Sequence, residues 1–288
     1  MKGTHKIASE ITAEDICRHI HCNIKPANIS FPKLPICIPA TRKVQKQRMH
    51  GFPSQPGIIP AIVGAKILDV NLKEIDFILG GSAMHMLASK TINKDEEFIA
   101  HRTSYGPVAI VKHKTYMQDW MQIGFMFERI MTGRKAHEMH DGMSTESVHV
   151  AQIGKFNVLF VAECDGCMDN KLVELKAGNH ALQNASKTIL QMLASHSSVL
   201  IVGNIERKKQ LEFTSLKTFP IEKLIEDNKH KMNQDMNCII DQLVLICDMQ
   251  GSKSLSFCEG KLVLSDAAGC IVPSHDTFQM VFKQLNDE

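Results

Sequence analysis

Two short stretches hold the residue types best suited to chemistry, Glu163-Cys164-Asp165 and Glu174-Leu175-Lys176. Each closes an apolar run, Asn157–Asp165 in the first case and Lys171–Ala177 in the second. Side chains alternate faces along a strand. Val158, Phe160, Ala162 and Cys164 therefore share one face, and Leu159, Val161, Glu163 and Asp165 the other. The second run divides alike, with Val173, Leu175 and Ala177 opposite Leu172, Glu174 and Lys176. Runs apolar on both faces describe strands buried on both sides. A hairpin with one face in water would be polar along that whole face, and Leu159, Val161 and Leu172 are not. Unpaired charges in such a place are costly. Three acids and a lysine on neighbouring strands then need one another, as a satisfied ion-pair cluster, or a divalent cation. Hard divalent cations take carboxylate and carbonyl oxygens, so a metal cradle suits this set.

Other signals carry less. Cys164-Asp-Gly-Cys167 is a CxxC, but a structural zinc site needs two more ligands and no second CxxC or His pair is placed to help. The two cysteines read as incidental. His137-Glu-Met-His140 has its histidines at the wrong spacing for HExxH and reads as a surface loop or helix end. Trp120, Ile123, Phe127 and Ile130 recur at helical spacing, which makes a buried stripe, with Glu128 projecting beside it. No P-loop and no GxGxxG is present.

The elements that must position these residues follow from periodicity. The chain to about residue 64 is irregular, broken by Pro32, Pro35, Pro39, Pro53, Pro56 and Pro60, and Arg42–Arg48 is a short basic run that reads as a solvated strip ahead of a weak localisation or phosphate-contacting signal. Val70–Leu87 suits a helix despite Gly80-Gly81, Pro107–Lys112 a strand and Tyr116–Met131 a helix. A β-rich block follows: Ser147–Ile153, Asn157–Asp165, Lys171–Ala177, Val199–Asn204 and Leu211–Thr218, interrupted by a helix over His180–Ser195. A long helical segment, Ile221–Cys247, precedes strands at Leu255–Cys258 and Lys261–Ser265. Strands and helices in this irregular order indicate an α+β or mixed α/β fold, not a doubly wound dinucleotide fold.

Composition bounds the class. With 44% hydrophobic residues and a formal net charge of +2 over 288 residues, the chain is neither disordered nor dependent on a polybasic tail. Its apolar stretches, such as Val199–Val202 and Cys238–Cys247, are too short or too interrupted for a membrane span. Nine scattered cysteines, an odd number, and a polar beginning without a secretory apolar core lead us to expect reduced thiols and a nuclear or cytoplasmic location.

An Asp, eight intervening residues and Glu-x-Lys, here Asp165, Glu174 and Lys176, is the core spacing of the PD-(D/E)XK nuclease superfamily. Gly124-Phe-Met-Phe-Glu128 lies upstream, Glu163 two residues before the Asp, and Gln191 and Ser215-Leu-Lys-Thr-Phe-Pro220 downstream. In that order the set resembles the DXO/Rai (Dom-3) decapping exoribonuclease family, best from Tyr116 to Pro220. The resemblance implies one nuclease domain over 1–288, its core at 65–288, with a central mixed sheet, a second smaller sheet and flanking helices. It implies that Glu128, Asp165, Glu174 and the Leu175 carbonyl bind Mg²⁺ or Mn²⁺, two ions in all, with Glu163 on metal-bound water or the second ion. Lys176 and Gln191 would position the attacking water and the scissile phosphate.

The same resemblance implies RNA 5′-end quality control: removal of aberrant and NAD caps, pyrophosphate release from 5′-triphosphates, and 5′→3′ degradation of monophosphate RNA. The implied partners are those RNA 5′ ends, with a large 5′→3′ exoribonuclease a candidate. A catalytically silent 5′-end-binding homologue is the alternative. It is raised by one departure: the arginine of the family's first motif falls on Gly80, and no arginine lies between Gly51 and Ala100. Arg102 or a lysine would have to substitute, and lysine lacks the bidentate fork.

Overall fold

A computed structural model describes residues 12, 14, 26–37, 58–94, 96–115, 121–134, 145–207, 211–267 and 275–287. Arg42–Arg48, Trp120 and His137–His140 lie outside the described residues. Among the described residues twelve strands form two mixed sheets. The larger takes β2 (Phe77–Leu79), β3 (Glu96–Arg102), β4 (Val108–Thr115), β5 (Glu146–Ile153), β6 (Phe156–Glu163), β11 (Ser252–Cys258) and β12 (Lys261–Asp266). Its order is β12-β11-β3-β4-β2-β6-β5, with short β2 parallel to both neighbours and every other pairing antiparallel. The smaller sheet, in the order β1-β10-β9-β8-β7, takes β1 (Ile36–Cys37), β7 (Gly166–Met168), β8 (Lys171–Ala177), β9 (Val199–Arg207) and β10 (Leu211–Pro220).

Helices fill the layers between and outside the sheets. They are α1 (Ile58–Ile67), α2 (Gly81–Ser89), α3 (Met121–Met131), α4 (His180–Gln183), α5 (Ala185–Ser195), α6 (Ile221–Asp227), α7 (Lys229–Ile246) and α8 (His275–Asp287). One face of the large sheet, with Phe77, Leu79, Val158 and Phe160, packs on α2, α5 and α7, and Leu200 and Val202 of the small sheet join the same core. The opposite face, with Ile78, Leu159 and Val161, packs on α1 and α8. A third core sets Val173, Leu175 and Phe213 of the small sheet against Met126 and Phe127 of α3. The face assignment read from alternation therefore holds: Val158 and Phe160 enter one core, Leu159 and Val161 the other. Each such side chain contributes about 1.5–3 kcal/mol when fully buried.

Several expectations are corrected. Val70–Leu87 is not one helix; it is a 3-10 turn at Leu72–Glu74, then β2, then α2. A short apolar run cannot be told from a helix by periodicity alone, and parallel neighbours on both sides of Phe77–Leu79 decide for strand. Gly81 serves close packing: a Cβ there would lie 2.9 Å from the Gln191 Cα on α5. The Pro-rich beginning is not irregular to residue 64, because α1 starts at Ile58 and buries Ile58, Ile59, Ala61, Ile62, Val63 and Ala65. Pro60 is tolerated there because the first turn of a helix has no partner for its amides. His180–Ser195 and Ile221–Cys247 are each broken, at Asn184 and at Asn228, whose Nδ2 donates to the Leu224 carbonyl at 2.8 Å. Finally, Asn157–Asp165, whose strand ends at Glu163, and Lys171–Ala177 are not neighbouring strands. They belong to different sheets, and β8 is paired instead with β7 and β9.

Candidate metal centre

The chain leaves the large sheet at Glu163, crosses through Cys164 and Asp165, and enters the small sheet at Gly166. Cys164 turns to the core, its Sγ 3.8 Å from the Ser195 carbonyl, so the acids on either side face elsewhere. Asp165 Oδ2 accepts from the Leu175 amide on β8 at 2.7 Å. Only Leu175 separates Glu174 from Lys176, so strand alternation puts both on one face, where Lys176 Nζ pairs with Glu174 Oε1. Glu128 comes from α3, held in place by Phe127, whose ring stands 4.8 Å from that of Phe213. Gln191 comes from α5.

One cleft of about 370 Å³ collects Glu128, Glu163, Asp165, Glu174, Lys176 and Gln191. Leu175 is the exception among the expected residues. It is buried, does not line the cleft, and touches the centre through the amide that holds Asp165. Gly80 lines the cleft as well, together with Lys112. A residue that sequence reasoning missed, Glu146, is also there. It stands opposite Glu163 in the β5–β6 register, so only the pairing of the strands reveals it.

The electrostatics are those of acids confined together. Burial, and then the charges of Glu174 and Glu128, raise the Asp165 carboxyl well above its ordinary range, against Lys176 and the Leu175 amide. Burial and then Glu163 raise Glu128 to about 7. Burial and then Glu163 also raise Glu146 to about 7. Glu163 is raised by burial and Glu174, although water still reaches its side chain at the open edge of the cleft. Burial lowers Lys176, but Glu174 and Asp165 outweigh it and hold the ammonium above its ordinary range.

Five carboxylates against the single Lys176 leave an excess of negative charge, since the other lining lysine, Lys112, is 2.5 Å from Glu96. The ion-pair reading is thus met by Lys176 and Glu174 and left unmet by the rest. As they stand, no three His, Cys, Asp or Glu side chains among the described residues converge into a ready metal cage. Glu174 is turned to Lys176, and Asp165 to the Leu175 amide. The donor set is nonetheless all hard oxygen, and Mg²⁺ commonly uses one or two carboxylates and keeps several waters. On donor chemistry and charge balance, Mg²⁺ or Mn²⁺ fits.

The cleft holds no arginine among the described residues. Gly80 caps the start of α2 in an extended conformation, φ −119°, and a Cβ there would stand 3.0 Å from the Val161 carbonyl. Arg102 does not substitute: it donates to the carbonyls of Gly106 at 2.7 Å, Met249 at 3.2 Å and Cys247. Lys112 lines the cleft too, but Glu96 already pairs with it.

No protein-family model matches the chain, and no curated protein does. Solved structures do. The fold matches S. pombe Rai1 with a TM-score of 0.64 at 16% identity, covering 84% of this chain and 87% of that one. K. lactis Dxo1 in complex with manganese matches at 0.55 and 12% identity, covering 73% and 71%. Candida albicans Rai1 in complex with pU5-Mn²⁺ matches at 0.54 and 14% identity, covering 76% and 80%. The expected architecture, a mixed sheet with a smaller second sheet and flanking helices, is the fold of the Rai1 and Dxo1 structures. No helix among the described residues is long and apolar enough to cross a membrane.

Proposed function

We propose that the chain is a divalent-metal-dependent hydrolase of RNA 5′ ends. The observation that carries the reading is the single cleft in which Glu128, Glu163, Asp165, Glu174, Lys176 and Gln191 meet on a Rai1-like fold. Manganese and pU5-Mn²⁺ bound to the Dxo1 and Rai1 neighbours support it. Glu128, Asp165 and Glu174 are the residues that would hold Mg²⁺ or Mn²⁺, with Glu163 beside them. A bound divalent ion supplies Lewis acidity at the phosphoryl oxygen and a more acidic water.

The rest is the work of the chain. Leu175 fixes the Asp165 carboxylate through its amide. Lys176 keeps a positive charge where negative charge develops on the phosphorus oxygens, and such preorganised groups need no rearrangement during reaction. Gln191, on α5 at the cleft wall, offers an amide that can both donate and accept, as orienting a water against a phosphate requires. Removal of aberrant or NAD caps, pyrophosphate release and 5′→3′ degradation are all hydrolysis at phosphorus, so one centre can serve them.

A second reading, a silent 5′-end binder, is favoured by one observation: Gly80 stands in the cleft where the resemblance expects an arginine. One assay separates the two. The protein is incubated with 5′-monophosphate, triphosphate, capped and NAD-capped RNAs and with single-stranded DNA, in Mn²⁺ or in EDTA. The hydrolase reading expects Mn²⁺-dependent cleavage of RNA 5′ ends, and loss of every activity together, by several orders of magnitude, in Asp165→Asn. Binding without turnover supports the silent homologue, whereas retention of one activity in Asp165→Asn overturns a single shared centre.

A further inference from the structure

Glu146 belongs to no motif, yet it lies in the same cleft as the acids that do. Its place is fixed by register: β5 pairs antiparallel with β6 so that Glu146 is directly opposite Glu163. Like charges directly across a strand pair are destabilising. Ser147 secures that end of β5, its Oγ 2.8 Å from the Ser195 carbonyl and 3.3 Å from that of Ala162. The strand end is thus held where the two carboxylates must face one another.

Among the described residues nothing answers the Glu146 charge. Its side chain is packed round by protein though not fully shut from water, it makes no hydrogen bond or ion pair with any described residue, and Glu163 is the charged group beside it. Lys176 is occupied by Glu174, and its charge reaches Glu128, Glu163 and Asp165. The acids therefore fall into two groups. Glu128, Glu163, Asp165 and Glu174 share the lysine, while Glu146 has Glu163 for its charged neighbour and no cation among the described residues. A divalent ion held by two carboxylates and completed by water is an ordinary arrangement for Mg²⁺.

We infer that Glu146 is a cation ligand, forming with Glu163 a second divalent-ion position beside that of Glu128, Asp165 and Glu174. The inference rests on the metal-centre reading above. It gives Glu163 a partner for the second ion that neither the motif spacing nor the fold likeness supplies.

The test counts ions on the full chain by Mn²⁺ titration, with free Mn²⁺ followed by electron paramagnetic resonance and heats by calorimetry. The native protein should bind two ions, and Glu146→Gln one, with the lost site weakened about tenfold or more, as expected when a carboxylate that serves a metal is removed. In EDTA, Glu146→Gln should melt no lower than the native chain, because it removes an opposed charge. Glu146→Asp, a shorter carboxylate, should bind the second ion at intermediate strength, and serves as the readout if the amide variant does not fold. One ion on the native protein, or two undiminished on Glu146→Gln and Glu146→Asp, overturns the inference and leaves the first centre standing. No Mn²⁺ bound to the native protein overturns the metal reading itself.

Discussion

Under the proposed function, phosphate handling would rest on single side chains, lysine at position 176 and whatever stands at position 80. Lys176 brings one fixed charge to the centre and is already shared with Glu174. An arginine at the cleft wall would add a bidentate grip on RNA phosphates, and Gly80 offers neither charge nor reach. Gly80 precedes α2 as its cap, so the helix propensity that favours replacing an interior glycine does not apply there. Its φ of −119° is open to any residue. The obstacle is the Val161 carbonyl, 3.0 Å from a new Cβ, which must yield by a few tenths of an ångström. Gly80→Arg should then tighten RNA binding and steepen its salt dependence by about one phosphate contact. Affinities at several salt concentrations, with melting curves as the folding control, measure this; an unchanged slope in a folded variant would show that RNA does not pass residue 80. Residues of this kind differ in how legible they are. Asp165, Glu174 and Lys176 could be read from the sequence because each breaks an apolar alternation. Glu146 could not, because a glutamate at the start of a strand breaks nothing until the register sets it against Glu163.

Between elements, the contact of β5, β6 and α5 holds the cleft wall that carries Glu146, Glu163 and Gln191. His149 of β5 stacks on Phe160 of β6 at 5.2 Å and faces His196, which follows α5, at 4.9 Å. Its Nδ1 is buried without a partner. Burial, then the neighbouring His196, lower its pKa to about 4, with the Leu193 backbone working in the opposite direction. Between about 4 and the ordinary imidazole value of 6.5 the unfolded chain binds the extra proton and the folded chain does not. The His149 contribution to stability should therefore rise with pH across that window, against the raised Glu128 and Glu146, whose contributions fall there. His149→Phe keeps a ring on Phe160 and should remove this contribution, so that its stability relative to the native chain improves as pH falls from 7 to 4 in denaturant unfolding; a constant difference across that range would show that His149 does not titrate with folding. The elements around this contact were legible to different degrees. Lys171–Ala177 has the expected bounds, because both faces of the run are apolar and its ends are charged or small. Val70–Leu87 misled because a three-residue strand and a helix entered through Gly80-Gly81 together imitate one helical pattern.

At the scale of the molecule, the candidate centre is a junction. Glu163 ends a strand of the large sheet, Glu174 lies on the small sheet, Glu128 projects from α3, and Asp165 sits on the crossing between them. The sequence showed the acids but set them on adjacent strands of one sheet, since spacing along a chain says nothing about which strands pair. That difference has a thermodynamic consequence. A cation held by one hairpin would stabilise only that hairpin, whereas one held here ties both sheets and α3 to each other. A ligand bound by the folded state alone adds about 2.7 kcal/mol when it is a hundredfold above its Kd. In chains of about this size each kcal/mol moves the melting point by about 2–4 °C. Saturating Mn²⁺ should accordingly raise Tm by several degrees over EDTA. Asp165→Asn should lose most of that rise while melting no lower than the native chain in EDTA, because it removes one charge from a crowd of like charges. Thermal scans of both proteins in EDTA and in graded Mn²⁺ decide it. A native Tm indifferent to Mn²⁺ would mean that the acids at the junction carry protons, not an ion, and that the two sheets are joined by packing alone.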